Sequence, residues 1–207
     1  MIDEDAIERE LRAGAAREAV RPLPELGQAA ATAGLLDVAY TTFDSPLGTL
    51  LLASTDRGLV RLAYVDYEGQ DEVIAELAGR ISPRVLAVPR KLDEPRRELD
   101  QYFTGSRRQF DVPIDWRLTQ GFGRRVLRAT ARIPYGEVSS YKQVASAAGS
   151  PRGSRAAGNA LGSNPIPIVV PCHRVLHSGG GLGGYTGGLE RKRMLLAVER
   201  FESVRPE

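Results

Sequence analysis

A thiol with a possible base directly beside it stands at Cys172-His173, the single cysteine of the 207-residue chain followed by one of its two histidines, the other being His177. An ordinary thiol with a pKa near ~8.5 is only slightly ionised at neutral pH, and the thiolate is the nucleophile, so a cysteine that does chemistry needs a base or a positive field. Imidazole can supply the base. Pro165 and Pro167 lie just upstream, so the stretch Val169 to Val175 is expected to be stiff and extended rather than helical. On extended backbone, neighbouring side chains point to opposite faces, and the pair would then need a bridging water or a turn at Cys172 to cooperate. The glycine-rich run Ser178 to Gly188 follows and allows backbone to approach a ligand closely. The competing reading is that a lone cysteine is simply a small buried hydrophobe.

Several elements must position this pair. A helix expected over Leu189 to Phe201 has Met194, Leu195, Val198 and Phe201 for packing and brings Glu199, 27 residues after Cys172, to a fixed depth. A carboxylate there could hold one imidazole nitrogen and set the tautomer of the ring. Upstream, Tyr141 leads into a short helix over Lys142 to Ala148, and a turn at Pro151-Arg152-Gly153 precedes a second helix over Ser154 to Leu161. Two short helices about a tight turn are a helix-turn-helix candidate, against the plainer alternative of an αα-hairpin. The second helix carries Ala156, Ala157, Gly158 and Ala160, almost without side-chain bulk. A helix reading base edges in the major groove needs Arg, Asn and Gln, whereas small residues suit close approach to a minor groove with Arg155 projecting. Little sequence preference would follow.

The first half of the chain reads differently. Val38 to Phe43, Thr49 to Ala53 and Leu59 to Tyr64 form an expected three-stranded antiparallel meander with turns at Ser45-Pro46-Leu47-Gly48 and Asp56-Arg57-Gly58. Helices are expected over Asp71 to Ile81 and Leu92 to Phe103, with a short strand at Val85 to Val88 between them. Asp3 to Leu11 has the pattern of a short amphipathic helix. The fold class is α+β: an extension over residues 1–35, a scaffold domain over 36–116 and a mainly helical domain over 117–207 that holds the thiol.

Charge separates the two halves. Residues 1–116 carry 14 Lys and Arg against 21 Asp and Glu, and residues 117–207 carry 14 against 5. Basic surface around the thiol points to a polyanion, with nucleic acid the obvious partner and salt-sensitive binding the consequence. One cysteine excludes an intramolecular disulfide, and with two histidines no closed metal site is expected. No apolar run is long enough to span a bilayer, so no membrane partner is expected, and the setting is read as cytoplasmic, intracellular and reducing; no cofactor is expected either.

Pro171-Cys172-His173-Arg174-Val175, with Asn164-Pro165-Ile166-Pro167-Ile168 before it and Tyr185-Thr186-Gly187-Gly188-Leu189 after it, resembles the active-site signature of the O6-alkylguanine-DNA alkyltransferases. Ile133-Pro134-Tyr135-Gly136-Glu137 upstream and Glu199 downstream stand in matching order, and the likeness covers Leu118 to Phe201 with a looser match back to Leu36. Gly123 departs from the family, which often has Gln after this phenylalanine. The resemblance implies a ribonuclease H-like scaffold, a winged-helix-like second domain, and single-turnover repair of O6-alkylguanine, and of O4-alkylthymine, in duplex DNA by a monomer able to bind cooperatively. It implies a relay of Cys172, water, His173 and Glu199, with Asn164 bracing the active-site segment. Arg155 would fill the place of a flipped base, Tyr141 would assist the flip, and Arg152, Ala156, Ala157 and Gly158 would meet the minor groove. Pro167, Tyr185, Thr186 and Gly187 would line the base pocket, with the Thr186 hydroxyl on the leaving oxygen and the Val175 carbonyl on the exocyclic amine. The alternatives are a Cys-His hydrolase and a DNA-binding thiol sensor.

Overall fold

A computed structural model of the chain describes residues 23–200. The expected helix over Asp3 to Leu11 and residue Phe201 lie outside the described residues. Helix α1 (Leu23–Thr32) leads into a meander of β1 (Val38–Ser45), β2 (Gly48–Thr55) and β3 (Gly58–Tyr64), followed by a single turn α2 (Val65–Glu68) and by α3 (Gln70–Arg80). The meander is antiparallel with Ser45 paired to Gly48 and Thr55 to Gly58, so each connection is a two-residue turn. Gly58 adopts φ +126° against the Pro113 carbonyl, where a Cβ would stand 2.1 Å from the oxygen, so only glycine fits.

The sheet has four strands in the order β3-β2-β1-β4, because β4 (Val85–Ala87) pairs parallel to β1 through Val38 to Tyr40. This corrects the expected three-stranded sheet. The physical reason is the helical crossover: α3 carries the chain back across one face, so the next strand enters the far edge in parallel sense. A 3-10 turn at Pro89–Leu92 then precedes α4 (Asp93–Phe103).

Alternation along the strands sends Leu51, Ala53 and Ala63 to one face with Val73 and Leu77 of α3. Leu50, Leu52, Leu62 and Tyr64 face the other way, against Leu99 and Tyr102 of α4. This second cluster does not stop at the sheet. It runs on through Val126, Leu127, Ile166, Val170 and Cys172, so the scaffold and the thiol-bearing half share a core. A buried leucine side chain contributes about 1.5–3 kcal/mol, and apolar contact therefore dominates the junction. Arg61 adds a polar tie, since its Nη1 donates to the Pro165 carbonyl at 3.1 Å, which also accepts from the Leu62 amide at 2.9 Å.

In the second half, α5 (Gly121–Thr130) precedes the short strand β5 (Ser139–Ser140), α6 (Tyr141–Ala147) and α7 (Ser154–Gly162). Ser140 caps α6 reciprocally: its Oγ accepts from the Gln143 amide at 3.2 Å while Gln143 Oε1 accepts from the Ser140 amide at 2.8 Å. β6 (Val175–Leu176) pairs parallel to β5, and α8 (Leu189–Val198) closes the described chain.

Candidate active site

The segment between α7 and β6 is wound into tight turns rather than extended. Val170 N donates to the Ile166 carbonyl, Cys172 N to Val170 and Arg174 N to Pro171, and Cys172–Arg174 forms one 3-10 turn. This corrects the expected extended backbone: Pro165 and Pro167 forbid a continuous helix, but Pro171 sits just before the turn, where a missing N–H costs nothing. Ile168 adopts φ +72° while fully buried, an unfavourable conformation for a β-branched residue that the surrounding packing holds in place.

The turn buries both chemical groups. Cys172 is 5% exposed and His173 fully enclosed. Asn164 braces the segment: its Nδ2 donates to the Val170 carbonyl at 2.8 Å and to Cys172 Sγ at 3.2 Å, and its Oδ1 accepts from the Ile166 amide at 3.1 Å. Burial pushes the Cys172 thiol above its ordinary value, partly offset by the Asn164 bond and by the charge of Lys192. Cys172 therefore rests as a neutral thiol.

Glu199, at the C-terminal end of α8, receives five donors. Tyr102 Oη at 2.7 Å, His173 Nε2 at 2.9 Å and Arg174 Nη2 at 2.8 Å reach Oε1, and Arg174 Nε at 2.9 Å and the Gly136 amide at 3.3 Å reach Oε2. Burial alone would raise this carboxyl, but the bonds and charges of His173 and Arg174 outweigh it and hold it at about 2. Burial lowers the pKa of His173 despite the carboxylate, so the ring is neutral. An ionised carboxylate only accepts, so Nε2 carries the ring proton and Nδ1 keeps its lone pair. Nδ1 is buried with no hydrogen-bond partner among the described residues.

A cavity of about 450 Å³ opens over the thiol, within the range of small-molecule sites, about 300–1,000 Å³. One wall is α7, through Ser154, Arg155, Gly158, Asn159, Leu161 and Gly162; the others are Tyr141, His177, Gly184 and Tyr185, with Cys172 among the lining. The spacing of Arg155, Gly158 and Gly162 puts them on one helical face. Arg155 is exposed and makes no hydrogen bond or ion pair among the described residues. Gly183, at φ +65°, passes so close to Tyr141 that a Cβ would stand 2.4 Å from its hydroxyl.

Other expected site residues lie elsewhere. Ala157 is fully buried in the core, because it falls on the face of α7 opposite the cavity, and it cannot meet a groove. Ala156 and Arg152 are exposed beside the cavity lining rather than within it. Pro167 and Gly187 are buried outside the lining. Thr186 is also outside it, and its hydroxyl gives its proton to the Gly162 carbonyl at 2.9 Å. The Val175 carbonyl accepts from Lys192 Nζ at 2.7 Å.

Sequence reasoning missed Lys192, Tyr102 and the cavity roles of His177 and Asn159. Lys192 is fully buried, and its ammonium also donates to the Leu182 and Gly184 carbonyls, so it clasps the glycine-rich loop. Burial pushes its pKa down to about 8. Its position was legible, since Lys192, Leu195, Leu196 and Glu199 repeat at helical spacing. Tyr102 lies 97 residues from Glu199, and nothing local marked it. Among the described residues no three His, Cys, Asp or Glu side chains stand together as a metal site, and no helix is long and apolar enough to cross a membrane.

Two family models match this chain, the 6-O-methylguanine DNA methyltransferase ribonuclease-like domain over residues 38–116 and its DNA binding domain over 121–201. The chain belongs to the 6-O-methylguanine DNA methyltransferase family. A methylated-DNA–protein-cysteine methyltransferase of Mycolicibacterium paratuberculosis is 45% identical over 166 residues, 80% of this chain and 94% of that protein. The enzyme of the same name from Mycobacterium bovis is 41% identical over 78% of this chain and 92% of its own length. The fold is shared with the crystal structure of Mycobacterium tuberculosis OGT in complex with DNA, at a TM-score of 0.67 and 38% identity over 78% of this chain and 93% of that one. The α+β scaffold followed by a helical half is thus that of the methyltransferase family.

Proposed function

We propose that this protein repairs DNA by moving the alkyl group of O6-alkylguanine, and of O4-alkylthymine, onto Cys172 in a single irreversible turnover. The observation that carries this reading is the thiol lining a cavity walled by α7, with a neutral His173 and an ionised Glu199 behind it. The relatives named for this activity support it.

The alkylated atom lies inside the duplex, so the nucleotide must leave the stack, at a cost of about a few kcal/mol. The small residues Ala156 and Gly158 let α7 approach the minor groove, Arg155 takes the vacated place, and Tyr141 at the cavity wall crowds the target nucleotide outward. Arg152, exposed before α7, adds a phosphate contact. The extruded base packs against Tyr185. His173 Nδ1 accepts the thiol proton through a bridging water, and Glu199 supports the imidazolium that results. The thiolate attacks the alkyl carbon, so a C–S bond forms and the C–O bond breaks with its electron pair passing to the base, which takes up one proton. Asn164 steadies the sulfur throughout. A thioether offers thiolate as a very poor leaving group, so the protein is spent after one lesion. An intracellular, reducing setting keeps the thiol available, and the protein works as a monomer with little sequence preference.

Intact-protein mass spectrometry after mixing with O6-methylguanine duplex tests this. One added methyl group per chain, mapped to the Cys172 peptide and lost in Cys172→Ala with DNA binding retained, is expected. A methyl on any other peptide overturns it. Turnover of an activated ester past one equivalent would favour a Cys-His hydrolase instead, and a footprint at one defined sequence a thiol sensor.

A further inference from the structure

Tyr185 is held from the scaffold half of the chain. Tyr64, at the end of β3 and fully buried, meets it hydroxyl to hydroxyl at 2.8 Å, with the two rings edge to face at 6.3 Å. The Tyr64 ring is itself gripped. Gly187, at φ +90°, passes close enough that a Cβ would stand 2.7 Å from the ring. The Arg191 guanidinium lies 4.5 Å from the ring centroid, while its Nε donates to the Leu47 carbonyl and its Nη1 to the Gly187 carbonyl, each at 2.9 Å, and Nη2 pairs with Asp66 at 2.5 Å. Tyr64 therefore cannot turn without disturbing β3 or the start of α8. The other end of the chain of contacts is chemical: the Tyr185 ring lines the cavity and stands 6.5 Å from the His173 ring, nearly perpendicular to it.

We propose that Tyr64 is a positioning residue for alkyl transfer, setting where Tyr185 stands against the incoming base and against His173. The inference rests on the repair reading above. The scaffold half thereby takes part in the reaction through a second hydroxyl beside that of Tyr102, which donates to Glu199, although neither touches substrate. Burial raises both phenols above their ordinary value, so the pair stays neutral and the contact persists across the working pH range. A phenylalanine at position 64 would keep the packing on Gly187 and Arg191 and delete only the bond.

The test is a double-mutant cycle of Tyr64→Phe and Tyr185→Phe, read as rates of Cys172 alkylation by O6-methylguanine duplex and by free O6-benzylguanine. Each single variant should react about fivefold more slowly with both substrates, and the double variant no more slowly than either single one, since both remove the same bond. Affinity for undamaged duplex, which does not probe the cavity, should change less than about twofold while the maximal rate falls. Losses that multiply in the double variant, or a Tyr64→Phe rate equal to wild type, would overturn the proposal. A wild-type protein that takes up no alkyl group at Cys172 would instead overturn the repair reading.

Discussion

Replacing Glu199 by glutamine keeps the shape of the side chain and removes its charge from the point where Tyr102, His173, Arg174 and Gly136 converge. One amide oxygen accepts about two hydrogen bonds, so most of the five donors lose their partner and the Arg174 guanidinium is left without a counter-ion. Breaking a buried pair in this way costs about 3–5 kcal/mol. The depressed carboxyl is of the same scale: lowered from 4.5 to about 2 by His173 and Arg174, it corresponds to about 3 kcal/mol at about 1.4 kcal/mol per pH unit. Because the folded value lies below the unfolded one, this stability is present above pH 4.5 and is lost as pH falls towards 2. Urea denaturation of wild type and Glu199→Gln at pH 7 and pH 4 should show a gap of about 3 kcal/mol that shrinks by about 1 kcal/mol at the lower pH. Alkylation of Cys172 at pH 7, in samples shown to be folded, should slow about 10²-fold as the imidazolium loses its support. A gap that is constant with pH, or below about 1 kcal/mol at pH 7, would refute an ionised Glu199 holding His173 and Arg174.

On the proposal that Arg155 fills the place of the flipped base, Arg155→Ala should slow alkylation by duplex O6-methylguanine about tenfold or more, because flipping costs about a few kcal/mol, while free O6-benzylguanine reacts nearly as before; equal losses on both substrates would remove Arg155 from the flip. Lys192→Met strands the Val175, Leu182 and Gly184 carbonyls and should cost about 2–4 kcal/mol in urea denaturation at pH 7. Lys192 titrates at about 8 folded against 10.5 ordinarily, so wild-type stability gains with pH across that window while the variant lacks the gain; parallel pH profiles would contradict this. Gly158→Ala has room, since its Cβ would lie 3.7 Å from the Tyr141 ring. It should raise stability by up to about 1 kcal/mol, some 2–4 °C in a thermal melt, and, on the proposal that α7 meets DNA, weaken duplex affinity because the methyl adds bulk to the cavity wall.

The elements that repeat at a fixed period were legible. The meander, α3, α4, α7 and α8 announce themselves through apolar residues at spacings of two or of three and four; their ends shift by one or two residues, except that α8 stops at Val198, three residues before the expected Phe201. The turn at Cys172 was not legible, because prolines rule out a helix without choosing among the non-helical paths that remain. The edge strand Val85–Ala87 is visible as a short apolar run, but its parallel partner depends on the route of the helix before it. Thr186 illustrates the same limit at the site. Its hydroxyl can donate to any nearby acceptor, and the end of α7 reaches it first.

The residues along the chain by themselves determined that a lone thiol next to imidazole follows a small-residue helix in a basic half, and it was the resemblance of the motifs around that thiol that implied chemistry on DNA. Only the tertiary structure decided that Glu199 meets Tyr102, that Lys192 clasps the loop, that Ala157 turns inward and that Tyr64 reaches Tyr185 from the scaffold. The physical reason is range. Periodicity and turn chemistry act between neighbours a few residues apart, whereas burial, pairing and the pKa values they impose arise when segments distant in sequence are packed into one core.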